Sequence, residues 1–174
     1  MKYNLRQALS ILERTPAVLD QLLRGLEASW TQSNGGPDTW SPFDVVGHLI
    51  HGEKTDWIPR IQIVLSDRED KTFTPYDRFA QQETSLGKEM GQLLDEFSAA
   101  RAQNIEYLQS LHLTPEDFKK QGMHPELGPV TLEELLSSWV VHDLGHIVQV
   151  SRVMAKQYKD NCGPWPQYLT ILKS

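Results

Sequence analysis

The 174-residue chain has one cysteine, no long apolar run and no concentration of basic residues. Each shortage excludes a class of protein. Cys162 alone cannot close an internal disulfide, so nothing points to a secreted, disulfide-held fold. A lone thiol also excludes zinc ribbons and iron–sulfur clusters built from the chain's own cysteines. No window approaches the roughly 18 consecutive apolar residues of a membrane helix. The N-terminal MKYNLRQALSILERT carries no signal-peptide type of apolar stretch. These features predict a cytoplasmic protein that does not associate with membranes. Lys+Arg total 17 against 23 Asp+Glu, a formal net charge of −6. Arg24, Lys54, Arg60, Arg68, Lys119 and Lys120 form no dense run, so no nucleic-acid partner is expected. Convincing strand alternation and internal repeats are lacking as well.

What the chain does have is helical periodicity. Leu5, Leu9 and Leu12, then Val18, Leu19, Leu22, Leu23 and Leu26, recur at spacings of three and four. Thr15-Pro16 divides them into a short first helix and a second that starts near Pro16. Asn34 to Asp38 reads as a loop. Ser41, Pro42 and Asp44 form a helix-start signature for a segment running towards Leu65, with a kink or end at Pro59. A short helix is expected within 75–84. Leu86, Met90, Leu93, Leu94, Phe97, Ile105, Leu108 and Leu111 trace a long helix, with Arg101 and Asn104 as polar breaks. Gln121 to Pro129 reads as a loop. Thr131 and Glu134 make a capping box for a last long helix reaching about Tyr158. The length suits a single domain over residues 1–174, able to bury about 70% of its unfolded surface. The expected fold is all-α: an up-and-down four-helix bundle with short additional helices.

Six histidines are present. His142 and His146 lie one helical turn apart, so both imidazoles project from one face. Leu135, Trp139, His142, His146 and Gln149 share a stripe roughly 80° wide. Two imidazoles on a core-facing stripe call for a metal or for fixed hydrogen-bond partners. His48 is the candidate third ligand, at the edge of the Val45, Val46, Leu49 and Ile50 stripe. Glu53 falls inside that stripe. It reads either as an ion pair with an arginine such as Arg60 or Arg152, or as an acid/base group beside a metal. His51, His112 and His124 are treated as non-ligands. Trp40 reads as a hydrophobic staple ahead of its helix, and Trp30, Trp57, Trp139 and Trp165 as core or dimer packing.

Two longer strings carry a resemblance. Trp40-Ser41-Pro42-Phe43-Asp44-Val45-Val46-Gly47-His48-Leu49-Ile50-His51-Gly52-Glu53 is similar to the second-helix motif of the DinB-like superfamily. The stretch from Val130 to Gln149, with His142-Asp143-Leu144-Gly145-His146 at its heart, resembles that family's last-helix motif, and Gly163 to Leu169 is similar to the tail of one subgroup. The resemblance implies a DinB-like bundle, often a homodimer. It also implies one divalent metal per chain, most commonly zinc or nickel, held by His48, His142 and His146. Some relatives are transferases or isomerases that use a low-molecular-weight thiol as cosubstrate. The expected activity is therefore that of a metal-dependent enzyme acting on a small-molecule substrate, with the ion activating either a small thiol or water. Glu53 is the candidate for proton transfer, and Asp143 and Gln149 are candidates for orienting imidazole N–H groups or substrate. The alternative is a non-catalytic bundle that binds a metal or small ligand.

Overall fold

The computed structural model describes residues 2–37 and 39–173, so Asp38 of the expected Asn34–Asp38 loop lies outside the described residues. Helix α1 (Leu5–Leu12) is capped by Asn4, whose side chain accepts from the Gln7 N–H. Helix α2 (Thr15–Leu23) has Pro16 in its first turn, where the missing N–H has no helical partner to lose. The expected division at Thr15-Pro16 is thus present. A single turn, α3 (Ala28–Thr31), precedes α4 (Pro42–Thr55). Ser41 and Asp44 close a full capping box: Ser41 Oγ accepts from the Asp44 N–H, and the Asp44 carboxylate accepts from the Ser41 N–H.

Helix α5 (Trp57–Leu65) follows a break at Asp56, whose φ is −115° and ψ −70°. The kink expected at Pro59 therefore falls upstream of it. A proline ring clashes with the carbonyl four residues earlier, here that of Thr55, so the helix breaks first and Pro59 sits harmlessly in the opening turn of α5. A short α6 (Gln81–Thr84) leads to α7 (Met90–Ser110). Periodicity alone starts α7 at Leu86, but Gly87 has φ +73° and turns the chain, leaving Leu86 exposed. Helix α8 (Leu132–Lys156) opens on the Thr131–Glu134 capping box.

The pair α1–α2, the pair α4–α5, α7 and α8 are the members of a four-helix bundle. Helix α4 packs on α7 and α8, α2 on α7, and α1 and α5 on α8. Two apolar clusters fill it. One holds Leu12, Trp57, Ile61, Leu108, Leu136 and Trp139. The other holds Leu19, Val45, Leu49, Leu93, Phe97 and Val150. Removing these side chains from water is the main force holding the helices together. The Arg101 guanidinium lies between the clusters, 5.0 Å from the Phe97 ring centroid and 5.1 Å from that of Trp139. No helix of the described residues is long and apolar enough to cross a membrane.

The expected absence of strands needs correction. Strands β1 (Gln121–His124) and β2 (Gly128–Thr131) pair as an antiparallel hairpin. Each is too short, and too rich in Gly and Pro, to show alternation in the sequence. The pairing is completed from outside: Phe73 donates its N–H to the Met123 carbonyl, and Met123 donates to that of Lys71. Gly122 is required there. A Cβ at this position would lie 2.4 Å from Phe73 Cε1 and 3.0 Å from Val64 Cγ2. This close approach seats the hairpin on α5 and brings His124 to the functional site.

Candidate metal centre

The capping boxes at Ser41 and Thr131 fix the starting points of α4 and α8, and so the phase at which their histidines meet. His48 from α4 faces His142 and His146 from α8. Nε2 of His142 lies 3.1 Å from Nε2 of His48 and 3.0 Å from Nε2 of His146. The three ligand atoms all lie within 4.8 Å of one another. Two nitrogens held about 2.0–2.1 Å from one ion are separated by roughly 3 Å, so the spacing suits a shared cation.

The proton inventory supports the same reading. Nδ1 of His146 is 2.8 Å from Gln149 Oε1. A carbonyl oxygen only accepts, so Nδ1 carries the proton and the Nε2 lone pair points at His142. Nε2 of His142 carries at most one proton yet has two nitrogen neighbours at hydrogen-bond distance. Its Nδ1 is buried with no partner among the described residues. A cation among the three Nε2 atoms removes the lone-pair conflict that hydrogen bonds alone leave. Nδ1 of His48 lies 3.2 Å from the Tyr76 hydroxyl, and the Trp40 ring packs 4.7 Å from the His48 ring. Trp57 stacks on Trp139 at 5.3 Å and meets the His142 ring edge-on at 5.2 Å. These contacts lock the imidazole planes.

Burial, reinforced by the neighbouring imidazoles, lowers His48 and His142 from the ordinary 6.5 to about 3. Burial also lowers His146, against the opposing pull of its bond to Gln149. The rings are therefore neutral at pH 7, as ligands must be. A stability consequence follows for the metal-free chain. The folded-state values lie below the unfolded ones, so the unfolded chain binds more protons between them. The stability is fully present above about 6.5 and is lost as pH falls towards about 3. Asp56, raised from 3.8 to about 6 by burial, acts in the opposite sense over its own interval. Denaturant titrations of the EDTA-treated protein should show midpoints falling across this window, with a shallower fall in His48→Gln.

Behind the histidines lies a buried ionic network. Arg101 of α7 donates from Nη1 to Asp143 Oδ2 at 2.6 Å and to the Leu12 carbonyl at 2.7 Å. From Nη2 it donates to Glu53 Oε1 at 2.7 Å and to Asp143 Oδ1 at 3.1 Å. Asn104 donates to Glu53 Oε2 at 2.9 Å. The two carboxylates exceed the one guanidinium in formal charge, and Asp143 exerts an attractive field on a protonated His146. That excess suits a neighbouring cation. Burial pushes Glu53 up, and the Arg101 charge pulls against it.

The expected partners of Glu53, Arg60 and Arg152, are thus replaced by Arg101. Read only as a break in the α7 stripe, Arg101 could have been found by the reasoning used for Glu53, because both are polar groups on core-facing positions. Asp143 bonds Arg101 rather than an imidazole, whereas Gln149 does orient one.

A cavity of about 390 Å³ opens over the imidazoles. His48, His142 and His146 line it, together with Trp40, Trp57, Asp56, Arg60, Tyr76, Arg78 and His124. Glu53 is absent from this lining. Tyr76, Arg78 and His124 were not legible as site residues, because the segment 71–78 and the hairpin reach the site only through tertiary packing. Cys162 lies in a separate 3-10 turn, Lys159–Cys162.

Comparisons with known proteins agree with this architecture. YfiT from Bacillus subtilis, described as "a probable metal-dependent hydrolase with an unusual four-helix bundle topology", superposes with a TM-score of 0.74 at 23% identity, over 87% of this chain and 86% of that one. TT2238, a four-helix bundle protein, superposes with a TM-score of 0.57 at 18% identity, over 85% of this chain and 98% of that one. Curated protein sequences provide no match. Residues 11–150 match the family model of the DinB superfamily, a stretch that includes all three histidines, and the chain belongs to that superfamily.

Proposed function

We propose that this chain is a metal-dependent enzyme acting on a small molecule, with His48, His142 and His146 as the ligands of one divalent ion. One observation carries the reading: three neutral imidazole nitrogens, two of them 3.0–3.1 Å from the third, converge on the floor of an open cavity. A closed structural site would surround the ion with protein donors, whereas here one side is left to solvent and substrate. When bound, the ion supplies a Lewis acid that lowers the pKa of a coordinated water or small thiol. The description of YfiT as a metal-dependent hydrolase supports the water route. On the thiol route the sulfur comes from a cosubstrate, because Cys162 does not line the cavity.

The chain's own residues supply the rest. Tyr76 and Gln149 hold the imidazole planes of His48 and His146. Trp40 and Trp57 exclude water from two sides. Proton transfer belongs to Asp56 rather than Glu53. Both Glu53 oxygens are taken by Arg101 and Asn104 away from the cavity, whereas Asp56 lines the cavity with only Oδ1 on Arg60 and is pushed up to about 6 by burial. A group of that pKa exchanges protons readily near neutrality.

The test is metal-dependent turnover of activated esters, and of monobromobimane with a panel of low-molecular-weight thiols, by protein reloaded with zinc or nickel. Asp56→Asn should keep its metal and lose about 100-fold in kcat, the usual scale for a lost acid/base group. The acid limb of the rate profile near pH 6 should disappear with it. Absence of metal-dependent turnover on both substrate classes would favour a non-catalytic metal-binding bundle.

A further inference from the structure

The cavity over the histidines has an asymmetric lining. Its one carboxylate among the described residues, Asp56, is already engaged: Oδ1 lies 2.7 Å from Arg60 Nε. Arg60 is further held with its guanidinium carbon 5.2 Å from the Phe73 ring centroid. Arg78 lines the same cavity, is exposed, and has no carboxylate within salt-bridge distance among the described residues.

His124 adds a second donor. Its Nδ1 accepts from the Glu126 and Leu127 N–H groups, both at 3.2 Å. A neutral imidazole that accepts at Nδ1 carries its proton at Nε2. The hairpin turn therefore sets His124 as a donor in the cavity wall rather than as a fourth ligand. Tyr76 brings a hydroxyl, and Trp40 and Trp57 bring apolar faces. A cavity of about 390 Å³ lies within the usual range for small-molecule sites.

We infer that the substrate is a small organic anion, its carboxylate or phosphate oxygens held by Arg78 and His124 and its apolar body lying against Trp40 and Trp57. The guanidinium, unpaired among the described residues, and the imidazole N–H give two donors to an oxyanion, and an arginine fork suits a planar or tetrahedral oxyanion better than a point charge does. Anchoring the anionic end at the Arg78 rim turns the remainder of the molecule towards the three imidazoles. This inference concerns the same cavity as the proposed activity and rests on that reading for its catalytic meaning, but anion binding is measurable without it.

Succinate, inorganic phosphate and the neutral 1,4-butanediol are titrated calorimetrically into full-length EDTA-treated protein and into zinc-loaded protein. At least one anion should bind saturably to both forms, and butanediol to neither. Arg78→Ala should weaken that anion at least tenfold in both forms. Arg78→Lys should weaken it less, and His124→Ala about threefold or more. Arg68→Ala, outside the cavity, should match wild type, and metal content should be unchanged in all four variants. The inference is overturned if metal-free protein binds neither anion, if Arg78→Ala binds as wild type does, or if butanediol binds equally well. Anion binding confined to the zinc-loaded protein and indifferent to Arg78 also overturns it, since the ion alone would then hold the ligand. Failure of the metal reading would instead appear as no zinc uptake with Arg78-dependent anion binding intact.

Discussion

Replacing Arg101 with alanine should destabilise the metal-free protein by about 3–5 kcal/mol, the usual result of stripping a buried charge of its partner. The Arg101 side chain is 2% exposed, and those of Glu53 and Asp143 are 0% exposed. Without the guanidinium, two carboxylates remain in an apolar interior, Glu53 held only by Asn104 and Asp143 with no side-chain partner among the described residues. Such groups neutralise or bring in water, and both responses work against folding. A loss of this size is a large part of a typical domain's stability of roughly 5–15 kcal/mol.

The site has more at stake than stability. Arg101 ties α7 to the C-terminal end of α1 through Leu12, to α4 through Glu53 and to α8 through Asp143. Helices α4 and α8 carry all three histidines. Arg101→Lys keeps a charge but loses the two-pronged contact with Asp143, so it should fall between wild type and alanine. A triple variant, Arg101→Met with Glu53→Gln and Asp143→Asn, removes every charge and should recover much of the loss. Urea unfolding of EDTA-treated samples measures all three. A cost below about 1 kcal/mol for Arg101→Ala would mean that the network is hydrated in solution rather than buried, on the scale of an exposed ion pair.

His142→Ala should reduce bound metal from one ion per chain to almost none. His142 is the central ligand, because its Nε2 is the atom within 3.1 Å of both others. Removing it leaves His48 and His146, a pair that binds an ion weakly and with little selectivity. Atomic absorption after dialysis against a trace of chelator reads the loss directly. Thermal unfolding gives an independent check. A ligand that binds only the folded state stabilises it by about 2.7 kcal/mol at a hundredfold excess over Kd. Wild type should therefore gain stability with added zinc, and His142→Ala should gain little. Without metal the two should differ by much less, since the lost imidazole has in wild type a buried Nδ1 with no partner among the described residues. His124→Ala should keep its ion. One tight ion per chain in His142→Ala would remove the assignment.

Local rules made much of the chain legible. The capping boxes at Ser41 and Thr131, the break at Thr15-Pro16 and the turn spacing of His142 and His146 all depend on residues within one or two helical turns. Gln149 was legible for the same reason, lying one turn beyond the histidine it orients. Pro59 shows where local reading fails in detail: the residue forces a break, but the break sits at Asp56, where the clash would otherwise fall on the preceding turn.

Long-range pairing set the remainder. The contacts of Arg101 with Asp143, Glu53 and Leu12 join positions 42, 48 and 89 residues apart. A sequence shows that each of these polar groups needs a partner, but helix packing chooses the partner. The hairpin depends on the backbone of Lys71 and Phe73 pairing with Met123, and it carries His124 to the cavity. By itself the sequence determined a helical bundle, its helix starts and the His142–His146 pair, because periodicity, capping and a shared helix face act over short stretches; His48 joined that pair only through the resemblance of the Trp40–Glu53 string. Only the tertiary structure decided that the imidazoles converge under an open cavity, that Asp56 rather than Glu53 faces it, and that Arg78 and His124 line its wall. Those placements follow from how α4, α5, α8 and the hairpin pack against one another, and no stretch of the chain specifies that packing alone.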